Sequence, residues 1–196
     1  MSKRLFDLIF ASLGLAMLSP LLFLMAVWIK FDSTGSIFFR QERVGQYGKT
    51  FRIHKFRTMV TDAEKHGLQI TIGNDSRITH SGAFLRRYKL DELPQLIDVV
   101  IGKMSLVGPR PEVPKYVAYY PSDVRDIVLS VKPGITDLAS IEFKDENTLL
   151  GKSANPETIY IREVLPRKLQ YCVEYVQKRT LLLDFKIIIR TLYEVA

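Results

Sequence analysis

The longest apolar stretch runs from Leu8 to Ile29 and contains no charged residue. At ~1.5 Å per residue it makes about 33 Å of helix, enough to cross the hydrocarbon core of a bilayer. Basic residues flank both ends, Lys3 and Arg4 before it and Lys30, Arg40 and Arg43 after it. Charge asymmetry therefore sets no direction, and an arrangement with both ends on one side is as open as a crossing. Ser19-Pro20 lies in the middle of the run. Proline lacks an N–H and crowds the preceding turn, so a kink is expected near Ser19. A cleaved signal is disfavoured, because the run is long for a signal core, Asp7 stands near its start and no small-x-small cleavage site stands out before Lys30.

Downstream the pattern shortens. Ser36–Arg43 and Thr50–Met59 read as extended segments joined through a turn at Gln46–Lys49, a small β-hairpin. Thr61–Gly67 reads as a helical turn ending at glycine, and Ile70–Ser81 as loop. Leu93, Leu96, Ile97, Val100 and Ile101 recur at helical spacing, which predicts a helix stopping at Gly102. Asp91 is placed to cap it, with Glu92 and Pro94 in the first turn. Two further helices are expected over Glu112–Tyr120 and Ser122–Val131, then a break at Lys132-Pro133-Gly134. Glu142–Glu157 is polar and reads as a surface loop. Thr158–Val195 looks helical, interrupted near Pro166 and again near Arg179-Thr180. The expected class is α+β, mainly helical, with a small β-hairpin and a membrane segment over 1–32 preceding a domain over 33–196.

Composition narrows this only a little. Charged residues make 25% and hydrophobic residues 47% of the 196 positions, the balance of a folded chain. The net charge of +7 suits anionic lipid, nucleic acid or a phosphorylated substrate without choosing among them. Cys172 is the only cysteine, so no internal disulfide exists, and His54, His66 and His80 are scattered without zinc-type spacing.

The candidate chemistry lies in RRYKLDELPQ, residues 86–95, where Asp91 and Glu92 follow three cations at a helix start. Helix N-termini present free N–H groups and partial positive charge, which suits phosphate, and an ionised carboxylate there can attack phosphorus. Taken alone, the same carboxylates are more simply read as plain caps. Lys55 and Arg57 alternate along a predicted strand and share a face. Arg110, between Pro109 and Pro111, is suited to a bidentate grip on phosphate. Taken singly, each of these cations reads as a solvated surface group. No Walker A loop, Rossmann fingerprint or Gly-x-Ser-x-Gly elbow is present.

In combination, these segments resemble the monotopic phosphoglycosyl transferases, also called bacterial sugar transferases. The resemblance covers nearly the whole chain: the apolar run with Ser19-Pro20, RVGQYGKTFRIHKFRTM (43–59), DSRIT (75–79), FLRRYKLDELPQL (84–96), MSLVGPRPE (104–112), KPGIT (132–136) and LLLDFKII (181–188). It implies that Asp91 and Glu92 are the catalytic dyad. Asp91 would attack the sugar-bearing phosphorus of a UDP-sugar and release UMP, and polyprenyl (undecaprenyl) phosphate would then take the phosphosugar. Glu92 would bind Mg2+. Lys55, Arg57, Arg86 and Arg110 match family positions and would neutralise phosphates, and Asp184 matches an acidic position near the active site. The N-terminal helix would be re-entrant, broken at Ser19 and Pro20, on the cytoplasmic face of a bacterial inner membrane.

Two departures stand out: Asp137 where many members carry glycine, and Cys172 where many carry an acidic residue. The implied partners are UDP-sugar, polyprenyl phosphate and membrane lipid; a homodimer is left open, and no nucleic-acid motif is present. The sugar is not specified, and Glu142–Glu157 is the segment expected to select it. The competing expectations are a membrane-anchored phosphatase using Asp91 and water, and a basic tethered binding module without turnover.

Overall fold

The computed structural model describes residues 2–63, 75–143, 150–151 and 155–195. Helix α1 (Ser2–Asp32) leads into short strands β1 (Phe38–Phe39), β2 (Glu42–Val44), β3 (Thr50–Arg52) and β4 (Lys55–Phe56). Helices α2 (His80–Arg87) and α3 (Gln95–Val100) follow, with a 3-10 turn, Leu90–Glu92, between them. Next come β5 (Ser105–Val107), α4 (Pro114–Val117), α5 (Ser122–Val128), β6 (Gly134–Thr136) and α6 (Leu138–Glu142). The chain closes with α7 (Pro156–Ile159), a π turn (Tyr160–Val164), α8 (Leu165–Lys178) and α9 (Leu181–Val195). The class is α+β and mainly helical, as the sequence pattern predicts.

The hairpin forms with β2 antiparallel to β3, Arg43 opposite Phe51, around a turn where Tyr47 and Gly48 both take positive φ. Beyond a short gap β1 pairs with β4 in the same sense, so the hairpin carries Lys55 to its far end. The parallel pair β5–β6 has no counterpart in the sequence reading. It explains the glycines of two motifs: a Cβ on Gly134 would stand 2.1 Å from the Gly108 nitrogen, so the two backbones meet where no side chain fits.

Helix α1 is continuous through Pro20, so the chain is not interrupted there. The reason is local. Pro20 has no N–H to give the Ala16 carbonyl four residues back, and Ser19 Oγ donates to that carbonyl at 2.8 Å instead. One face of α1 packs on the domain toward each end, and no residue from Ser12 to Leu24 is buried. Ala11 joins Ile53, Val99 and Met104, while Met25 and Ile29 join Phe56 and Leu85. Burying an Ile, Met, Leu or Phe side chain of this kind contributes roughly 1.5–3 kcal/mol.

Both ends of α1 are also fastened by polar groups. Arg4 donates to the Val99 and Val100 carbonyls at 2.5 and 2.7 Å, capping the C-terminus of α3. Asp32 accepts from the Ser81 N–H and Oγ at 2.9 and 2.8 Å, satisfying the start of α2. The opposite face of α1 exposes Leu5, Ile9, Phe10, Leu13, Met17, Leu21, Phe23, Leu24 and Phe31. A Lys3–Asp184 ion pair of 2.8 Å joins the first turns of α1 and α9, and α9 exposes Leu182, Phe185, Ile189 and Leu192. An exposed apolar surface of this extent is unusual for a monomer in water and marks a surface that meets something apolar.

Other boundaries shift. The helices expected over Glu112–Tyr120 and Ser122–Val131 shorten to α4 and α5. Ser81, read as loop, lies inside α2, whose N-cap is Thr79. The interruption expected near Pro166 is the π turn just before it, where proline cannot continue the regular ladder. Of the turn expected at Thr61–Gly67 and the loop at Glu142–Glu157, residues 64–67, 144–149 and 152–154 lie outside the described residues, as do 70–74 of the Ile70–Ser81 segment.

Candidate active site

Asp91 does not cap α3. Lys89 takes a left-handed conformation (φ 52°) and starts the 3-10 turn Leu90–Glu92, so α3 begins only after Pro94 and has no side-chain cap. Asp91 sits within that turn, 3% exposed, and Glu92 follows it. Lys55, at the end of the hairpin, reaches both: its Nζ is 2.9 Å from Asp91 Oδ2 and 3.1 Å from Glu92 Oε1. Arg110, in the segment after β5, forms a bidentate pair with Glu92, NH1 to Oε2 at 2.9 Å and NH2 to Oε1. Thus two adjacent carboxylates meet two cations brought from distant parts of the chain.

The electrostatics follow from that packing. Burial works against an ionised Glu92, but the charges of Arg110 and Lys55 override it and hold the carboxyl well below its usual range. The same pairing raises Arg110 above the usual guanidinium range, against the effect of its burial. Arg86, on α2, donates Nε–H to Thr58 Oγ1 at 2.8 Å; burial lowers its pKa and the nearby Asp91 charge partly restores it. Beside this cluster lies a cavity of about 470 Å3 whose lining includes Arg40, Arg43, Lys55, Arg57, Arg77 and Arg86, together with Phe38. Such a concentration of guanidinium and ammonium groups suits a polyanion such as a diphosphate.

Two of the sequence-predicted residues are engaged differently. Arg57 borders the cavity but donates to the Ser33 and Thr34 carbonyls at 2.7 Å each and to Ser33 Oγ at 2.9 Å, closing the chain where α1 ends. Both residues line the one cavity, and the Arg57 N–H donates to the Ile37 carbonyl at 2.9 Å, continuing the β1–β4 ladder, so the two differ in what their tips bind and not in the side they occupy. Asp184 is buried next to Tyr175 Oη (2.7 Å) and Lys3 Nζ, in a separate cavity of about 490 Å3 with Arg4, Asp7, Lys132 and Arg179. Ser19 and Pro20 are exposed on α1.

Several supporting residues escaped the sequence reading. Arg43 donates to the Pro111 carbonyl at 3.0 Å and lies 3.8 Å from Glu112, which accepts from Tyr160 Oη at 2.6 Å. These bonds fix the Pro-Arg-Pro segment from both sides. His54 and the fully buried Asp98 pair at 2.8 Å, and Arg40 reaches His54 Nε2 at 2.6 Å. Only the positions within RVGQYGKTFRIHKFRTM hinted at Arg43 and His54; nothing in the spacing marked Asp98.

The donor chemistry also bears on a metal. Among the described residues no cluster of three or more His, Cys, Asp or Glu side chains is present. Asp91 and Glu92 supply two hard carboxylates, the number Mg2+ commonly takes from a protein when phosphates and water complete its shell.

Comparison with known proteins bears on the family. A family model described as bacterial sugar transferase matches residues 1–196. A UDP-glucose:undecaprenyl-phosphate glucose-1-phosphate transferase of Klebsiella pneumoniae is 38% identical over 98% of this chain and 39% of its own length. A UDP-N-acetylgalactosamine-undecaprenyl-phosphate N-acetylgalactosaminephosphotransferase of Aeromonas hydrophila is 34% identical over 97% of this chain and 42% of its own. The exopolysaccharide production protein ExoY of Sinorhizobium fredii is 34% identical, over 97% and 84% respectively. The chain spans about two fifths of the length of the first two relatives.

Proposed function

The chain belongs to the bacterial sugar transferase family, and from that premise we propose that it transfers a phosphosugar from a UDP-sugar to polyprenyl phosphate at a membrane surface. The observation that carries this reading is the Asp91–Glu92 pair, held by Lys55 and Arg110 beside a cavity lined with cations.

In this reading an Asp91 oxygen attacks the sugar-bearing phosphorus, and the bond to the UMP oxygen breaks with its electron pair leaving on UMP. An oxygen of polyprenyl phosphate then attacks the same phosphorus, and the Asp91 carboxylate departs unchanged. Lys55 orients Asp91 and opposes the charge that builds on the phosphoryl oxygens, and Arg110 and Arg86 add fixed positive charge around them. Glu92 and Asp91 would hold Mg2+, whose contribution when bound is further neutralisation of the diphosphate. Because Glu92 already faces two cations, holding the ion would exchange part of that pairing.

Membrane placement follows from α1. A helix pinned at both ends to the same body offers its apolar outer surface to a bilayer from one side, which supports both ends lying on the same side of the membrane. A donor that is a cytoplasmic nucleotide sugar makes that side the cytoplasmic face of the inner membrane in this reading. That brings a soluble nucleotide sugar and a lipid phosphate to one site, as the first membrane step of glycoconjugate assembly requires. The names of the relatives make UDP-glucose and UDP-N-acetylgalactosamine the first donors to try.

The test is direct. Purified protein with Mg2+, undecaprenyl phosphate and each labelled donor is extracted into organic solvent and the lipid-borne label is followed in time. The reading expects label in the lipid phase and its loss in Asp91→Asn. Free sugar phosphate as the product would make it a phosphatase, and salt-sensitive lipid binding without turnover would make it a binding module.

A further inference from the structure

Asp137 is only 2% exposed, yet it is a carboxylate, and burying one is costly unless its oxygens are matched. Both are. Oδ1 accepts the Ser140 N–H at 2.7 Å as N-cap of α6. Oδ2 accepts the Arg110 N–H at 3.2 Å, and Cys172 Sγ, reaching in from α8, stands 3.9 Å from that same oxygen.

Capping alone does not require this residue. A single acceptor oxygen suffices for an N-cap, and Ser or Asn supplies one without a buried charge. The second oxygen holds something more particular. In the tripeptide Pro109-Arg110-Pro111 both prolines lack an N–H, so the Arg110 amide is the segment's one backbone donor, between the Pro109 and Pro111 carbonyls that accept from the Gly134 N–H and from Arg43 at 3.0 Å each. Its guanidinium forms the bidentate grip on Glu92. Cys172 fits the same arrangement: burial, then the neighbouring Asp137 charge, push its thiol well up, so it remains a neutral S–H facing a carboxylate.

We propose that Asp137 is a positioning residue for Arg110, holding the backbone of the Pro-Arg-Pro segment so that the guanidinium meets Glu92 and the reacting phosphate. The role rests on the phosphosugar transfer proposed above. Asp137 acts through Arg110 and touches no substrate itself.

The variants separate positioning from capping. Asp137→Ser keeps an N-cap hydroxyl for Ser140 but cannot also reach Arg110. Its turnover number for lipid product is expected to fall about tenfold to a hundredfold, the scale of a misplaced group near the chemistry, while the KM for UDP-sugar changes little. The Arg110 amide should exchange its hydrogen faster, and the thermal midpoint should stay near wild type. Adding Cys172→Asp returns a carboxylate from α8 to the side of Oδ2, not of Oδ1, and should restore both turnover and Arg110 protection. A purely capping role predicts no such rescue. Wild-type turnover and unchanged Arg110 exchange in Asp137→Ser would overturn the proposal. So would a folded Asp137→Ser variant whose losses Cys172→Asp leaves unrepaired. If the wild type itself makes no lipid product, the transfer reading fails, and the exchange of the Arg110 amide alone decides the role of Asp137.

Discussion

Replacing Arg110 by methionine removes the guanidinium that grips Glu92 while keeping a long apolar stem. The NH1–Oε2 separation is 2.9 Å. At an effective dielectric of about 20, unit charges at that distance attract by about 6 kcal/mol. The Arg110 side chain is 37% exposed and that of Glu92 18%, so solvent screens part of this, and a net loss of about 2–3 kcal/mol is expected. The same figure applied to a transferring phosphoryl group corresponds to roughly a hundredfold in kcat/KM. Arg110→Lys should recover only a fraction, because an ammonium cannot make two parallel N–H bonds to one carboxylate. Initial rates of lipid-product formation, paired with denaturant titrations of each variant, read both quantities. An Arg110→Met enzyme within about threefold of wild type in kcat/KM would refute the reasoning, since a bidentate pair beside the reacting phosphorus cannot be that dispensable.

Three further outcomes follow from the same geometry. Arg57→Leu strips the cap from the end of α1 and should cost about 2–4 kcal/mol of stability with a small change in kcat, measured by thermal unfolding and turnover; a large kcat loss at unchanged stability would make Arg57 a phosphate ligand instead. Glu92 is held below its ordinary value near 4.5, so the folded state binds fewer protons there than the unfolded chain does as the pH falls past that value. Its contribution should therefore be fully present from neutrality down to about pH 4.5 and be lost only below it, and a stability–pH profile of Glu92→Gln should lack that acid component. Chelation of divalent ions should abolish lipid-product formation and leave the unfolding midpoint close to its starting value, with Mg2+ restoring activity; full activity after exhaustive chelation would remove the metal from the account.

Local patterns in the sequence specified the local structure. The charge-free run at Leu8–Ile29, the Gln46–Lys49 turn and the helix ending at Gly102 each depend on neighbours within a few residues, and each is where the pattern predicts. Lys55, Glu92 and Arg110 were picked out as separate cations and carboxylates, and the fold joins them across 37 and 18 positions. What was illegible is tertiary. Nothing in KFRTM tells that Lys55 goes to the carboxylates while Arg57 reaches carbonyls at the end of α1, because those partners lie 37 and 23–24 positions away in sequence. A capping Asp91 was a reasonable expectation until a left-handed Lys89 moved the helix start past Pro94. The parallel meeting of β5 and β6 is written in Gly108 and Gly134 only once their backbones are known to touch, and with it comes the contact between Asp137 and Arg110.

The central claim is that Asp91 carries the phosphosugar between donor and acceptor. Purified protein mixed with Mg2+ and a UDP-sugar, without any lipid acceptor, can be weighed intact by mass spectrometry beside Asp91→Asn. The account predicts an added phosphosugar mass on the wild type, its absence from the variant, and its discharge when polyprenyl phosphate is supplied. No adduct with any donor, together with undiminished lipid product from Asp91→Asn, would contradict it and leave direct transfer between the two substrates as the mechanism.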